Sequence, residues 1–165
     1  MTDYKAKEVK GTKGDIVSAD KSHSWFYSDI VKEHFFKPQN FLEGELKESE
    51  YNAVGRVGSP ACGDELKIWL WIDPKDEKIK RFWWKTFGCA SAIAATSITS
   101  VIATENNGLT IDEARNLKPQ DIVKRLGGLP PRKIHCSVLA DQALRDAIDD
   151  YYRRTEQSDK IRSIK

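Results

Sequence analysis

The most regular hydrophobic pattern in the chain lies between residues 51 and 87. Every second residue is apolar along one run, namely Leu66, Ile68, Leu70 and Ile72. This alternation predicts a strand with one buried face. A turn at residues 73–76 and a second apolar run over residues 79–87 predict that the chain returns beside this strand as an antiparallel hairpin. Residues 51–59 predict a third strand, so we expect a small antiparallel three-stranded sheet.

Helical patterns occur in the sequence both before and after the predicted strands. Five segments carry them, at residues 25–36, 90–103, 110–117, 119–126 and 137–152. The second is apolar on nearly every face, which predicts a buried helix, and Thr110 with Glu113 forms a capping box that starts the third. Pro38 is expected to stop the first helix. The order of helix, strands and helices predicts an α+β fold whose sheet is covered on one face by helices.

The charge balance bears on the class of partner. The chain has 27 basic and 25 acidic residues, a net charge of +2, from which no strong attraction to nucleic acid or to a membrane follows. Residues 1–24 are polar and lack both the aliphatic run of a secretory signal and the arginines of an organelle presequence. We expect a cytoplasmic protein with a flexible extension over residues 1–24, one domain over residues 25–153 and a frayed tail over residues 154–165.

Three cysteines, Cys62, Cys89 and Cys136, all fall at predicted joints between elements. The first lies in the turn between two strands, the second at the start of the buried helix, and the third at the entry to the final helix. Their odd number and the lack of a CxxC spacing argue against a disulfide framework and against a zinc ribbon. Two of them lie near predicted helix N-termini, where the dipole favours the thiolate, which is the form that binds metal.

Asp64 and His135 lie beside two of these cysteines, and each could offer a fourth ligand. Three thiolates with one carboxylate or imidazole suit iron or zinc, and an iron–sulfur cluster held this way should be retained less tightly than one on four thiolates. Two alternatives stay open at this point. Each cysteine could be a packed core thiol, or Cys136 and His135 could be nucleophile and base of a thiol enzyme, although adjacent residues at a helix entry seldom orient one side chain onto the other.

Four ordered motifs resemble those of the IscU/NifU-type iron–sulfur cluster assembly scaffolds. They are YSDIVKEHFFKPQN at residues 27–40, GSPACGDELKI at residues 58–68, WKTFGCASAIAATS at residues 84–97, and LPPRKIHCSVLADQALRDAI at residues 129–148. The resemblance extends over about residues 25–152 and keeps all three cysteines in register with the motifs. It implies the small α+β fold of that family, which is IscU/SufE-like.

The resemblance implies a scaffold and not an enzyme. Such a protein receives iron, and sulfur from a cysteine desulfurase, assembles a transient 2Fe–2S cluster and passes it to acceptor apoproteins. The positions that match the family's site are Cys62, Asp64, Cys89, His135 and Cys136. The three cysteines would bind the cluster, with Asp64 or His135 as the labile fourth ligand. Cys136 would also accept persulfide sulfur, with Lys133 assisting as a nearby cation. A zinc-bound sulfur acceptor is the alternative function, and a homodimer that shares or buries the cluster is a further hypothesis.

The chain departs from the family pattern at two sites near the cysteines. Ala90 stands where the family usually has glycine. Arg132 replaces the valine of an LPPVK segment that docks an Hsp70-type chaperone in some lineages, so we do not expect a chaperone to dock at residues 129–133 (LPPRK).

A third departure lies in the predicted hairpin. Trp69, Trp71 and Trp83 take places that are usually polar and would point away from the helices. We hypothesise that they form a self-association or partner surface. The simpler alternative is that the N-terminal extension covers them.

Overall fold

The computed structural model describes residues 15–16, 25–59 and 63–161. The strands in this part of the chain are β1 (Asp15–Ile16), β2 (Trp25–Phe26), β3 (Ala53–Ser59), β4 (Asp64–Asp73) and β5 (Lys78–Phe87). The last three form an antiparallel sheet in the order β3-β4-β5, and the first two form a separate antiparallel pair. The predicted three-stranded sheet is therefore confirmed.

The helices that the structure describes pack on one face of this sheet. They are α1 (Asp29–Phe36), α2 (Ala90–Thr104), α3 (Ile111–Asn116), α4 (Pro119–Arg125) and α5 (His135–Arg154). Thr110 and Glu113 form the predicted capping box at the start of α3, and α2 is buried over most of its surface. The α+β fold with a helix-covered antiparallel sheet is confirmed. None of the helices in the described ranges combines the length and apolar character needed to cross a bilayer.

The alternation along β4 decides which face of the sheet the helices cover. Its residues are buried at every second position, including Ile68 and Leu70, which have no exposed surface. The long helix α5 lies so close to β3 that a Cβ added at Gly55 would lie 2.1 Å from the Ala143 carbonyl oxygen. Glycine at this position is therefore a packing requirement and not a turn signal.

Both edges of the sheet are partly covered by other segments. On the β3 side, the Val54 N–H donates to Asp150 Oδ2 of α5 at 2.9 Å. On the β5 side, the Leu42 N–H donates to the Trp84 carbonyl at 2.9 Å. These contacts satisfy backbone groups that would otherwise offer pairing sites to another chain.

The first helix is shorter than the pattern of residues 25–36 predicts. It begins at Asp29, because the Ser28 side chain accepts a hydrogen bond from the Val31 N–H at 3.1 Å and caps the helix there. Trp25–Phe26 instead pair with Asp15–Ile16 as two short strands. The predicted stop before Pro38 is confirmed, since the helix ends at Phe36.

The C-terminal segment also differs from expectation. Arg154 is still part of α5, Ser158–Lys160 form a 3₁₀ helix, and Ile161 packs against the hydrophobic core. Lys160 Nζ lies 3.5 Å from Glu77 Oε1. Up to Ile161 this segment therefore packs on the domain through an apolar side chain, where the sequence analysis expects a frayed tail. The expected flexible extension falls mostly outside the described residues.

Candidate metal centre

Three elements meet at one end of the sheet and bring the predicted site residues together. Asp64 is the first residue of β4, Cys89 is the N-cap of α2, and His135 and Cys136 are the first residues of α5. The antiparallel pairing of β4 with β5 places Glu65 opposite Phe87, so the start of β4 and the entry to α2 are neighbours. This arrangement follows from the sheet topology.

The distances at this end of the sheet suit shared metal ligation. Cys89 Sγ lies 3.5 Å from Cys136 Sγ, and Cys136 Sγ lies 3.7 Å from His135 Nε2. Ligand atoms of Asp64, His135 and Cys136 all lie within 4.8 Å of one another. Ligands of a tetrahedral ion are separated by roughly 3.3–3.8 Å when metal–ligand bonds are about 2.0–2.3 Å long. Small side-chain movements would therefore suffice to close these donors on a metal.

Cys62 lies in residues 60–62, outside the described ranges. The chain resumes at Gly63, whose φ of 69° lies in the left-handed region that glycine adopts without strain. Asp64 follows directly, at the edge of the site. The role of Cys62 as a ligand stays a prediction.

The Asp64 carboxylate is the strongest sign that this end of the sheet holds a cation. Asp64 is only 7% exposed, and its Oδ2 atom has no hydrogen-bond partner among the described residues. A buried oxygen without a partner is costly, and a cation bound between this carboxylate and the cysteines would satisfy it. The donor set of oxygen, nitrogen and sulfur fits zinc or iron.

Gly88 makes room for that carboxylate. A Cβ at this position would lie 3.0 Å from Ala92 Cβ and 3.3 Å from Asp64 Cγ. The missing side chain therefore lets the carboxyl group pack against the start of α2. Ala90, two residues further along, stands where the resembled family usually has glycine; it begins α2 as part of the helix, so its methyl group introduces no strain.

The two described cysteines differ in protonation. A hydrogen bond from the Cys136 thiol lowers the pKa of Cys89 to about 5, with further lowering from the Ala92 backbone N–H and the Lys133 charge, against the opposing effect of burial. The same hydrogen bond and burial raise the pKa of Cys136. Cys89 sits at the N-terminus of α2, where the helix dipole favours negative charge, so Cys89 is the thiolate and Cys136 is the thiol that donates to it.

Lys133 faces the same group of side chains. Burial opposes its charge, but the negative charge of the Cys89 thiolate, with a smaller contribution from the Asp64 carboxylate, more than offsets this and raises the pKa of Lys133. The residue ends a 3₁₀ helix, Pro131–Lys133, that leads into α5. The two prolines before it limit the backbone of this entry segment, which places the ammonium beside the thiolate.

Two large apolar residues that lie close to the site residues in the chain are exposed; we call this pair the apolar rim, and the sequence analysis missed it. Phe87 is 81% exposed and Ile134 is 44% exposed, although both are large hydrophobic residues. They flank Cys89 and His135 in the chain. The alternation along β5 could have revealed Phe87. Phe82 and Trp84 face the core, and Phe87 lies three residues after Trp84, so its side chain must point to the opposite face of the sheet.

Helices cover one face of a three-stranded sheet, and cysteine, aspartate and histidine side chains gather at one end of it, so the chain is a small α+β domain with a candidate metal site. Residues 26–158 match the family model described as the NifU-like N terminal domain. This protein belongs to that family.

Two relatives match over most of their own length. An iron-sulfur cluster assembly scaffold protein IscU 1 of Archaeoglobus fulgidus is 42% identical over 138 residues, which are 84% of this chain and 84% of that protein. The IscU scaffold protein of Aquifex aeolicus is 40% identical over 141 residues, covering 84% and 85% of the two chains. A solved structure of a SUF-system scaffold protein from Fervidobacterium islandicum AW-1 superimposes with a TM-score of 0.52 at 20% identity, over 74% of this chain and 96% of that one, which supports the fold.

Proposed function

We propose that this protein is a scaffold on which an iron–sulfur cluster is assembled and from which the cluster passes to acceptor apoproteins. The observation that carries the proposal is the unpartnered, buried Asp64 Oδ2 atom beside a thiol–thiolate pair. The relatives that bear the scaffold name, at about 40% identity over most of their length, support the same function. We infer no substrate turnover, because the cluster is the cargo.

The cluster is of the 2Fe–2S type in this proposal, with Cys62, Cys89 and Cys136 as its sulfur ligands. Asp64 is the better fourth ligand, because its carboxylate is buried and lacks a partner among the described residues, whereas His135 is exposed. One oxygen ligand among thiolates weakens retention of the cluster relative to four thiolates. A scaffold that must release its cargo benefits from that weakness.

Sulfur reaches the site from a cysteine desulfurase, with Cys136 as the accepting thiol. Its sulfur is buried and protonated in this structure, so the proposal includes an order of events. When Cys89 binds metal, its thiolate no longer accepts the Cys136 proton, and a nearby metal favours the Cys136 thiolate. That thiolate attacks the outer sulfur of the donor's persulfide, which leaves a persulfide on Cys136 and a thiolate on the donor. Lys133 stabilises the negative charge.

The apolar rim gives the sulfur donor a place to dock. Phe87 and Ile134 expose large side chains and lie within two residues of Cys89 and Cys136 in the chain, so a partner could bury them while reaching the cysteines. Acceptor apoproteins would use the same opening in turn. A second copy of this chain that shares or buries the cluster is part of the same proposal, whereas chaperone docking at residues 129–133 is not.

A zinc-bound sulfur acceptor is the second candidate. The close grouping of Asp64, His135 and Cys136 ligand atoms suits a single tetrahedral ion as well as a cluster. Incubation of the zinc-loaded protein with iron, cysteine and a desulfurase distinguishes the two. Displacement of zinc by iron and sulfide supports the scaffold, and retention of zinc with persulfide on Cys136 supports the alternative.

Anaerobic reconstitution tests the scaffold function directly. We expect visible charge-transfer absorption in the unaltered protein and its loss in Cys62→Ser, Cys89→Ser and Cys136→Ser, because each variant removes a thiolate ligand. Ser158→Ala, far along the chain from the site, is the matched control and should keep the full absorption. Retention of the bands in all three cysteine variants would contradict the ligand assignment.

A further inference from the structure

The sheet face opposite the helices carries a cluster of indoles. Trp69 of β4 pairs with Trp83 of β5, and Trp71 lies two residues further along β4. All three are half-buried, whereas their neighbours Ile68 and Leu70 are fully buried on the helix side. The predicted outward orientation of the three tryptophans follows from this alternation.

Two cations lie over these indoles without a carboxylate partner among the described residues. Lys67 Nζ lies 4.7 Å from the centroid of the Trp69 ring, and Arg81 Cζ lies 5.8 Å from the centroid of the Trp83 ring. Neither forms an ion pair in the described ranges, in contrast to Arg56, which is paired with Glu65 at 2.8 Å on the same face. Aromatic rings thus hold the cations in place, while no carboxylate in the described part of the chain neutralises their charge.

We propose that this face binds an acidic protein surface, whose carboxylates pair with Lys67 and Arg81 while an apolar side chain covers the indoles. Three tryptophans offer a large contact area, since each aromatic side chain buries roughly 150–250 Å². Tryptophan and arginine are also the residue types that most often dominate binding energy at interfaces. Electrostatic complementarity selects the acidic partner.

Three other occupants fit less well. A symmetric dimer through this face would bring Lys67 and Arg81 of both copies into one interface, which is four cations without a carboxylate partner among the described residues. The N-terminal extension carries five lysines against four acids over residues 1–24, so it has no net negative charge to complement these cations. The net charge of +2 supplies no broad field for nucleic acid.

The indole face is separate from the metal centre. Asp64 and Trp69 are five residues apart on β4, which is about 17 Å along a strand. Phe87 shares the outward orientation of Trp83 but lies four residues further along β5, about 14 Å away, so a partner that covers the indoles could remain bound while the sulfur donor or an acceptor contacts the cysteine end of the sheet. The inference does not depend on the cluster function.

Binding of a soluble glutamate–tyrosine copolymer tests the proposal, because it presents carboxylates and aromatic rings. We expect Lys67→Glu with Arg81→Glu, and separately Trp69→Gln with Trp71→Gln, to weaken binding at least about tenfold. The control pair Lys37→Glu with Lys124→Glu makes the same net charge change at exposed positions elsewhere and should change binding less than about twofold. An unchanged circular dichroism spectrum and an unchanged midpoint of urea unfolding would confirm that each variant is folded.

Three results would overturn the proposal. Equal weakening by the control pair would show diffuse charge attraction. Tighter binding of oligothymidylate, lost in the same tryptophan variant, would assign the face to nucleic acid. Dissociation of a dimer by Trp69→Gln with Trp71→Gln, with copolymer binding unchanged, would assign it to a second copy of the chain.

Discussion

Cys89 Sγ lies 3.5 Å from Cys136 Sγ, although 47 residues separate the two cysteines in the chain. The contact exists because α2 and α5 both begin at the same end of the sheet, with Cys89 as the cap of one helix and Cys136 in the first turn of the other. At the centre of the proposed cluster site, the Cys136 thiol therefore donates a hydrogen bond to the Cys89 thiolate.

Alkylation by iodoacetamide should distinguish these two thiols. Because the Cys136 hydrogen bond lowers the pKa of Cys89 to about 5, Cys89 is thiolate at neutral pH, and its labelling rate should level off above about pH 6 and fall as the pH drops through 5. Cys136, buried and protonated, should react much more slowly. Mass spectrometry of the labelled peptides gives both rates.

Cys136→Ala provides the control for that titration. Removing the donor thiol should move the Cys89 labelling profile to higher pH, towards the usual pKa of a cysteine near 8.5. An unchanged profile would show that the hydrogen bond is not the cause of the lowered pKa.

Asp64→Ala should stabilise the metal-free protein. The substitution removes a buried carboxylate oxygen that lacks a partner among the described residues, and leaving such a group buried costs about 1–3 kcal/mol. Urea unfolding in the presence of a chelator measures the free energy of unfolding. Asp73→Ala is the control, since Asp73 Oδ1 accepts a hydrogen bond from the Lys75 N–H and its loss should not stabilise. A less stable Asp64→Ala protein would contradict this account of the site.

The same Asp64→Ala variant should lose a reconstituted cluster more slowly. In the proposed function the carboxylate keeps the site exchangeable, so its removal should lengthen the lifetime of the visible absorption in the presence of a chelator. Faster bleaching than in the unaltered protein would show that Asp64 retains the cluster instead of promoting its release.

Gly88→Ala should weaken metal binding. Its methyl group would lie 3.3 Å from Asp64 Cγ and 3.0 Å from Ala92 Cβ, so the carboxyl group must move. Changes to groups that orient ligands typically reduce metal affinity by about 10–100-fold, and competition with a zinc-binding dye measures this. Gly44→Ala, whose Cβ would meet nothing within 4 Å, should leave the affinity unchanged. Equal affinities in the two variants would exclude the proposed role of Gly88.

Gly55→Ala should destabilise the fold without touching the metal centre. The added Cβ would lie 2.1 Å from the Ala143 carbonyl oxygen and 2.7 Å from the Ala147 nitrogen, which forces β3 and α5 apart. We expect a loss of about 1–3 kcal/mol or more in the free energy of unfolding, measured with Gly44→Ala as the reference. If Gly55→Ala lowered the free energy of unfolding by less than Gly44→Ala does, the close packing of β3 against α5 would be contradicted.

Local patterns account for most of the fold. The alternation at Ile68 and Leu70 and the capping box at Thr110 each report on a few consecutive residues, and both are confirmed. The start of α1 is wrong in the prediction because Trp25 and Phe26 also fit a helical spacing, and only the Ser28 cap decides between helix and strand. The Ile161 anchor was missed because a single apolar residue in a polar tail gives no periodic signal.

The site depends on contacts between distant segments. Spacing along the chain gives no measure of the Cys89–Cys136 distance, and the family resemblance was needed to place these residues together. Neither the unpartnered oxygen of Asp64 nor the space left by Gly88 has a signature in the sequence, because each depends on how β4 packs against the start of α2.

The iron and acid-labile sulfide content of anaerobically purified protein, before and after incubation with iron, cysteine and a cysteine desulfurase, tests the central claim most directly. The scaffold function predicts that iron and sulfide rise together in equal amounts and displace any zinc, and that both are lost in Cys89→Ser. A protein that keeps zinc and gains neither iron nor sulfide under these conditions would contradict it.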